Sequence, residues 1–173
     1  MTNEAFMEMA LAQAKLAFAQ GEFPVGCVVV QGKEVIATGS RQGTNLGNPF
    51  FSEIDHAEIG ALKSLENKFS EFVPEKAIVF CTMEPCLMCF AAILLAGIKK
   101  IVYAYEDPMG GGTGCDLSSM TPLYRDAKIE VVPGVLREKS LDLFYKFFNK
   151  ETNIYWKNSF LEAYTLEQKR IVD

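Results

Sequence analysis

The sequence predicts an α/β domain in which strands and helices stack in layers and one half of the sheet is largely parallel. Three observations carry that expectation. Two β-branched runs, Val25-Gly26-Cys27-Val28-Val29-Val30 and Glu34-Val35-Ile36-Ala37-Thr38-Gly39, flank the turn residues Gln31-Gly32-Lys33, which reads as a hairpin. Beyond it, strand-like runs alternate with helix-like segments of about three turns, the pattern of strand–helix–strand crossovers. Finally, nothing divides the chain: 173 residues suit one domain, 1–173, and no linker, repeat or low-complexity tract interrupts them.

The elements follow in order. Residues 5–20 hold Phe6, Met9, Ala10 and Ala17 at helical spacing, with Asn3 as cap and Gly21 as stop. Residues 41–54 contain Gly, Asn and Pro without period and form a loop. Asp55 is placed to cap a helix over 56–65, with Ile59 and Leu62 on one face. Ala77-Ile78-Val79-Phe80-Cys81-Thr82 reads as a buried strand, followed by a helix over 86–96 that Gly97 stops. Lys100-Ile101-Val102-Tyr103-Ala104-Tyr105 and Lys128-Ile129-Glu130-Val131-Val132 are two more strands. Helices over 136–149 and 154–170 end the chain, so that 150–173 forms a helical extension.

Composition excludes whole classes of chemistry. With 49% hydrophobic residues the chain can build a core, so it is neither disordered nor dependent on disulfides. A single histidine rules out a three-histidine zinc site, a finger with paired histidines and the H-E-x-x-H helix. Five cysteines are an odd number without a disulfide framework. Met1-Thr2-Asn3-Glu4 lacks the basic and apolar regions of a secretory signal, and the most apolar stretch, 90–98, is about half of what a bilayer needs. A cytoplasmic protein without membrane contact is the expectation. The net charge of −5 argues against strong non-specific nucleic-acid binding, which basic surface drives.

The chemistry gathers at His56-Ala57-Glu58 and Met83-Glu84-Pro85-Cys86-Leu87-Met88-Cys89. Alone, H-x-E arises by chance, and C-x-x-C suits a redox pair or two buried cysteines. Together they read H-x-E…P-C-x-x-C, the signature of zinc-dependent nucleobase deaminases. The physics agrees. One imidazole and two thiolates give a zinc ion three protein ligands and leave its fourth position to water. A helix N-terminus lowers thiol pKa, and Cys86 and Cys89, three apart, project to one side of the first turn. Pro85 before that turn forfeits no hydrogen bond. Glu58 is not needed as a ligand and is left to carry protons. A structural zinc is the competing reading, but it needs a fourth protein ligand, and no second histidine exists.

At these residues the sequence resembles the cytidine/deoxycytidylate deaminase superfamily, and within it the bacterial tRNA adenosine deaminases. Further markers are Gly21-Glu22-Phe23-Pro24-Val25-Gly26, Ile59 with Ala61-Leu62, and Ile98-Lys99-Lys100-Ile101-Val102-Tyr103. The resemblance implies a three-layer α/β/α fold around a mixed sheet of five strands, and a homodimer. It implies zinc on His56, Cys86 and Cys89, with Glu58 relaying protons from water to the ring nitrogen and to leaving ammonia. Backbone around Ala57 and Glu84-Pro85 would touch the base, and Val25 would wall the pocket. The first substrate it implies is the wobble adenosine of tRNA, converted to inosine. Alternatives are a free base, nucleoside or nucleotide such as guanine, cytosine or deoxycytidylate, or a non-catalytic zinc protein that binds RNA or a partner.

The sequence also departs from that family. Where its tRNA enzymes carry a base-contacting asparagine after the second strand, this chain has Arg41 in Gly39-Ser40-Arg41-Gln42. Asn45 could stand in only if the loop folds back. An arginine aimed at the pocket would hold a phosphate or carboxylate; the alternative is a surface arginine. The tail from residue 137 to 173 has seven Lys/Arg against six Asp/Glu, so it is no basic stripe for RNA. Gly110-Gly111-Gly112-Thr113-Gly114 lacks the end of a phosphate loop and reads as a flexible loop over the pocket. Phe144, Phe148, Trp156, Phe160 and Tyr164 form a stripe expected in the core or a dimer interface, although Phe147 or Phe148 could approach substrate as in the resembling enzymes. Cys27, Cys81 and Cys115 read as buried thiols, with Cys115, in a loop, the most open to reaction.

Overall fold

A computed structural model describes residues 1–66 and 72–172. The elements run α1 (Asn3–Ala19), β1 (Gly26–Gln31), β2 (Glu34–Ser40), α2 (Ala57–Leu65), β3 (Ala77–Met83), α3 (Leu87–Leu95), β4 (Lys100–Tyr105), α4 (Pro122–Arg125), β5 (Glu130–Val132), α5 (Arg137–Phe148) and α6 (Phe160–Val172). The five strands make a sheet of order β2-β1-β3-β4-β5. β1 pairs antiparallel with β2 and β3, whereas β3, β4 and β5 are parallel. The parallel half expected from the strand–helix alternation is therefore present, beside the expected hairpin.

Alternation along the strands divides the core in two. Val28, Val30, Phe80, Val102 and Ala104 face α1, whose Phe6, Met7, Ala10, Leu11 and Ala14 form one apolar stripe. Cys27, Val29, Val79, Cys81, Ile101 and Tyr103 face α2 and α3 on the other side. α5 adds Leu143 to the first cluster, while its Phe144, Phe147 and Phe148 join the second through Phe23 and Tyr105.

Several local expectations change. Thr2, not Asn3, caps α1: its hydroxyl accepts from the Ala5 amide at 3.4 Å, and Asn3 is already helical. His56, not Asp55, takes the N-cap of α2, without a side-chain bond, and the Asp55 carbonyl accepts from Arg41 and Gln42. β5 shortens to Glu130–Val132. The last helix starts at Phe160 instead of residue 154, since Trp156 (φ 53°) and Asn158 (φ 61°) are left-handed and cannot continue a right-handed helix. Ser159 then caps it, accepting from the Glu162 amide at 3.1 Å. The aromatic stripe breaks accordingly: Phe144 and Phe148 are buried, but Trp156 and Phe160 are exposed. Cys27 and Cys81 are buried as expected, whereas Cys115 is exposed. Among the described residues no helix is long and apolar enough to cross a membrane.

Candidate active site

The site lies where two helix N-termini converge beside the end of β3. His56 is the N-cap of α2 and Cys86 the N-cap of α3, with Glu58 and Cys89 in the respective first turns. Both ends offer unpaired amides and partial positive charge to anionic side chains. The approach of α2 to the sheet depends on Gly39: a Cβ there would sit 1.9 Å from the Ala57 carbonyl oxygen. On the other side the 110–113 loop closes on α3. Gly111 bridges to Cys86, and the Gly112 amide donates to the Pro85 carbonyl at 2.8 Å. A Cβ on Gly112 would meet the Leu87 amide nitrogen at 2.6 Å.

His56 Nδ1 lies 3.5 Å from Cys86 Sγ and 3.4 Å from Cys89 Sγ. All three donor atoms fall within 4.8 Å of one another. With metal bonds of about 2.0 Å to nitrogen and 2.3 Å to sulfur, a tetrahedral zinc site has N···S edges of about 3.5 Å. The donor set therefore fits zinc both chemically and in size. The hydrogen bond from Cys89, helped by His56, lowers the Cys86 thiol to about 4, whereas that same bond and burial push Cys89 far up. Burial lowers the His56 pKa, but the Cys86 hydrogen bond and the Glu58 charge outweigh it and leave it raised. The surroundings thus favour the thiolate at Cys86 over Cys89, and metal binding would require both as thiolates.

Glu58 is 3% exposed, and its Oε2 has no hydrogen-bond partner. Burial raises its pKa above the ordinary carboxylate value. A buried carboxylate oxygen left unpaired costs stability unless another group completes it. Together with His56 and Cys86, Glu58 lines a cavity of about 340 Å³. That volume is at the lower end for small-ligand pockets and suits one heterocycle.

The other candidate residues divide. Val25 lines the cavity. So does Glu84, whose carboxylate accepts from the Thr113 hydroxyl and amide and from the Asp107 amide. Ala57 is buried at the start of α2 and Pro85 gives its carbonyl to Gly112; neither side chain is in the lining. Arg41 lines the cavity but is only 2% exposed, so it is no surface arginine. Its guanidinium donates to the carbonyls of Gln42, Ser52 and Asp55, with Glu53 and Tyr155 more distant at 3.5 Å, and braces the loop from inside. Asn45 lies elsewhere: its amide donates to the Gln20 carbonyl and accepts from Gly47, in a separate pocket beside Gly21. The loop does not fold back in the way a stand-in would need, because buried Glu22 holds Thr44 and Asn45 by their amides. Phe148 sits behind Phe23, 6.2 Å between ring centroids, and Phe23 is the one of the two in the lining.

The cavity also includes Glu53, Asp107, Met109, Tyr155 and Trp156, which local patterning did not single out as site residues. The glycine run after β4 was a signal for Met109 and Gly110, which do face the pocket, although the loop is pinned by defined contacts. Nothing local points to the tail residues.

Comparison with known proteins agrees with the geometry. Residues 1–105 match the cytidine and deoxycytidylate deaminase zinc-binding region, and the chain belongs to this family. It is a hydrolytic deaminase with zinc as cofactor. The chain is 32% identical over 148 residues to the tRNA-specific adenosine deaminase of Bacillus subtilis (strain 168), covering 86% of this chain and 89% of that one. A solved structure from a study of A-to-I editing by tRNA:A34 deaminases has 31% identity and a TM-score of 0.63, covering 80% of this chain and 98% of its own. A guanine deaminase from Nitrosomonas europaea, at 24% identity and a TM-score of 0.65 over 83% of each chain, shows the shared fold.

Proposed function

We propose that this chain hydrolyses the amino group from a nucleobase to give the oxo base and ammonia, with tRNA adenosine, converted to inosine, as the first substrate. One observation carries the reaction: Glu58 is buried, its Oε2 unpartnered, beside a His56–Cys86–Cys89 donor set that fits zinc. A zinc ion supplies a Lewis acid that makes water nucleophilic near neutral pH. His56, Cys86 and Cys89 would hold it, with the converging helix ends stabilising the thiolates. Glu58 takes the proton from water and passes it to the ring nitrogen. It then takes the hydroxyl proton of the adduct and delivers it to the amino group as the C–N bond breaks and ammonia leaves; a raised pKa suits it to both directions of transfer. A non-catalytic zinc protein has no use for such a carboxylate. The tRNA substrate is supported by the relatives' names at about 30% identity. The family resemblance further supports a homodimer in the cytoplasm.

A small uncharged base or nucleoside is the second reading, and the charge of the cavity favours it. Glu53 and Asp107 line it, while Arg41 has its guanidinium committed to backbone carbonyls. Arg41 keeps its charge but is paired with Glu53, so Asp107 and Glu84 leave the lining net negative, which disfavours phosphate.

Ammonia release from a panel of tRNA, free bases, nucleosides and nucleotides separates the readings. The Glu58→Ala variant is expected to lose at least about 100-fold in kcat while keeping near one zinc per chain. A near wild-type rate in that variant would falsify the mechanism.

A further inference from the structure

The segment after α5 supplies part of the cavity wall, and no step above uses it. Tyr155, Trp156 and Leu161 line the same cavity as His56, Glu58 and Cys86. Trp156 is 43% exposed, and its ring contact among the described residues is an edge-on one with Tyr155, 5.7 Å between centroids at 74°. A large indole, packed edge-on against Tyr155, thus stands part-exposed at the edge of a ligand-sized space.

The backbone at this residue is held in place at a cost. Trp156 has φ 53°, a region that bulky side chains rarely enter. Before it, Asn153 brackets Tyr155, accepting from its amide at 3.0 Å and donating to its carbonyl at 3.2 Å. After it, the Ser159 amide donates to the Trp156 carbonyl at 3.2 Å, and the Asn158 amide donates to the Glu162 carboxylate. Tyr155 is itself anchored: its hydroxyl donates to Glu53 at 2.9 Å and its ring lies 5.5 Å from Phe23. Strain of this kind survives where its surroundings over-determine it, and it clusters at ligand sites.

From this we infer that Trp156 is the stacking wall of the site, a specificity-determining residue whose indole lies against the base presented to His56, Glu58 and Cys86. The inference rests on the proposed deaminase reading and deepens it. Stacking accepts any heterocycle face, so Trp156 selects for an aromatic base and not for one particular edge. Because it does not touch the reacting bond, it contributes to KM far more than to kcat.

The chain has one tryptophan, so its emission reports on Trp156 alone. The zinc-loaded protein is titrated with hypoxanthine, xanthine, uracil and inosine, which are products and are not turned over. Saturable quenching by at least one of them is expected. With a substrate from the activity panel, Trp156→Ala is expected to raise KM about 5- to 100-fold with kcat within about twofold, and Trp156→Phe to restore most of the loss. Absence of quenching by all four ligands, or an unchanged KM in a well-folded Trp156→Ala protein, overturns the inference. If Trp156→Ala loses zinc or melts early, the wild-type quench and Trp156→Phe decide. If the panel shows no turnover, the deaminase reading fails separately, and the quench alone still decides stacking.

Discussion

Arg41 shows what a single buried side chain does here. Its guanidinium is nearly inaccessible and donates to three backbone carbonyls between Gln42 and Asp55. Removing it takes a donor from the part-buried Gln42 and Ser52 carbonyls, while the Asp55 carbonyl keeps the Gln42 amide, and it empties the space the buried side chain fills. Each buried group left unpaired costs about 1–3 kcal/mol before relaxation. Arg41→Ala is therefore expected to lower unfolding stability by about 2–4 kcal/mol in a urea titration. Arg41→Lys should recover little, since an ammonium lacks the planar fork. A variant with unchanged stability but weaker binding of phosphorylated ligands would return Arg41 to an anion-binding role. The sequence marks this residue as a departure from the family it resembles. It carries no information on where the guanidinium points, because its partners are carbonyls, which every residue has.

At the scale of elements, α2 and α3 bring the site together through close backbone approaches. Gly39→Ala drives a Cβ to within 1.9 Å of the Ala57 carbonyl oxygen, so α2 must shift with His56 and Glu58 on it. The expected result is a lower melting temperature and zinc content well below one equivalent per chain. Gly60→Ala serves as the control, since a Cβ on that α2 residue meets nothing within 4 Å; helix propensity there should add about 0.4–1 kcal/mol. Retained zinc in Gly39→Ala would show that α2 does not position the donors. Spacing made both motifs visible and put each at a helix start. It misplaced two caps, Asn3 and Asp55, by one residue each, since adjacent residues can both serve as caps and pattern alone does not fix the boundary to one residue.

Across the whole molecule, the tail is tied to the sheet by one polar network. Arg137 pairs with Glu106 and donates to Gln168 of α6, the Tyr164 hydroxyl donates to Glu106, and Tyr105 bonds Thr165 at 3.1 Å. Burial alone would raise the Glu106 pKa, but the Arg137 guanidinium outweighs it and holds the carboxyl below its ordinary value. A lowered folded-state pKa stabilises at pH above the unfolded value, and that contribution is lost as pH falls through the folded one. Cleavage of α6 by pepsin is therefore expected to accelerate below the usual carboxylate range. In Glu106→Gln cleavage should be faster at higher pH, with a flatter pH dependence. Equal pH profiles in the two proteins would remove Glu106 from the docking of α6.

The sequence by itself determined the alternation of strands and helices, the parallel half of the sheet, and the grouping of His56, Glu58, Cys86 and Cys89. These are local matters of period, capping and ligand spacing, and short-range sterics and chemistry decide them. Only the tertiary structure decided that Arg41 braces a loop, that Asn45 and Phe148 sit outside the cavity, and that Tyr155 and Trp156 line it. Arg41 and Asn45 are placed by how the loop after β2 folds on itself and on Gln20 and Glu22. Tyr155 is placed by how that loop meets the tail more than 100 residues later, in the contact of Glu53 with Tyr155. Such closures are set by packing and backbone hydrogen bonds between distant segments, and no local pattern records them.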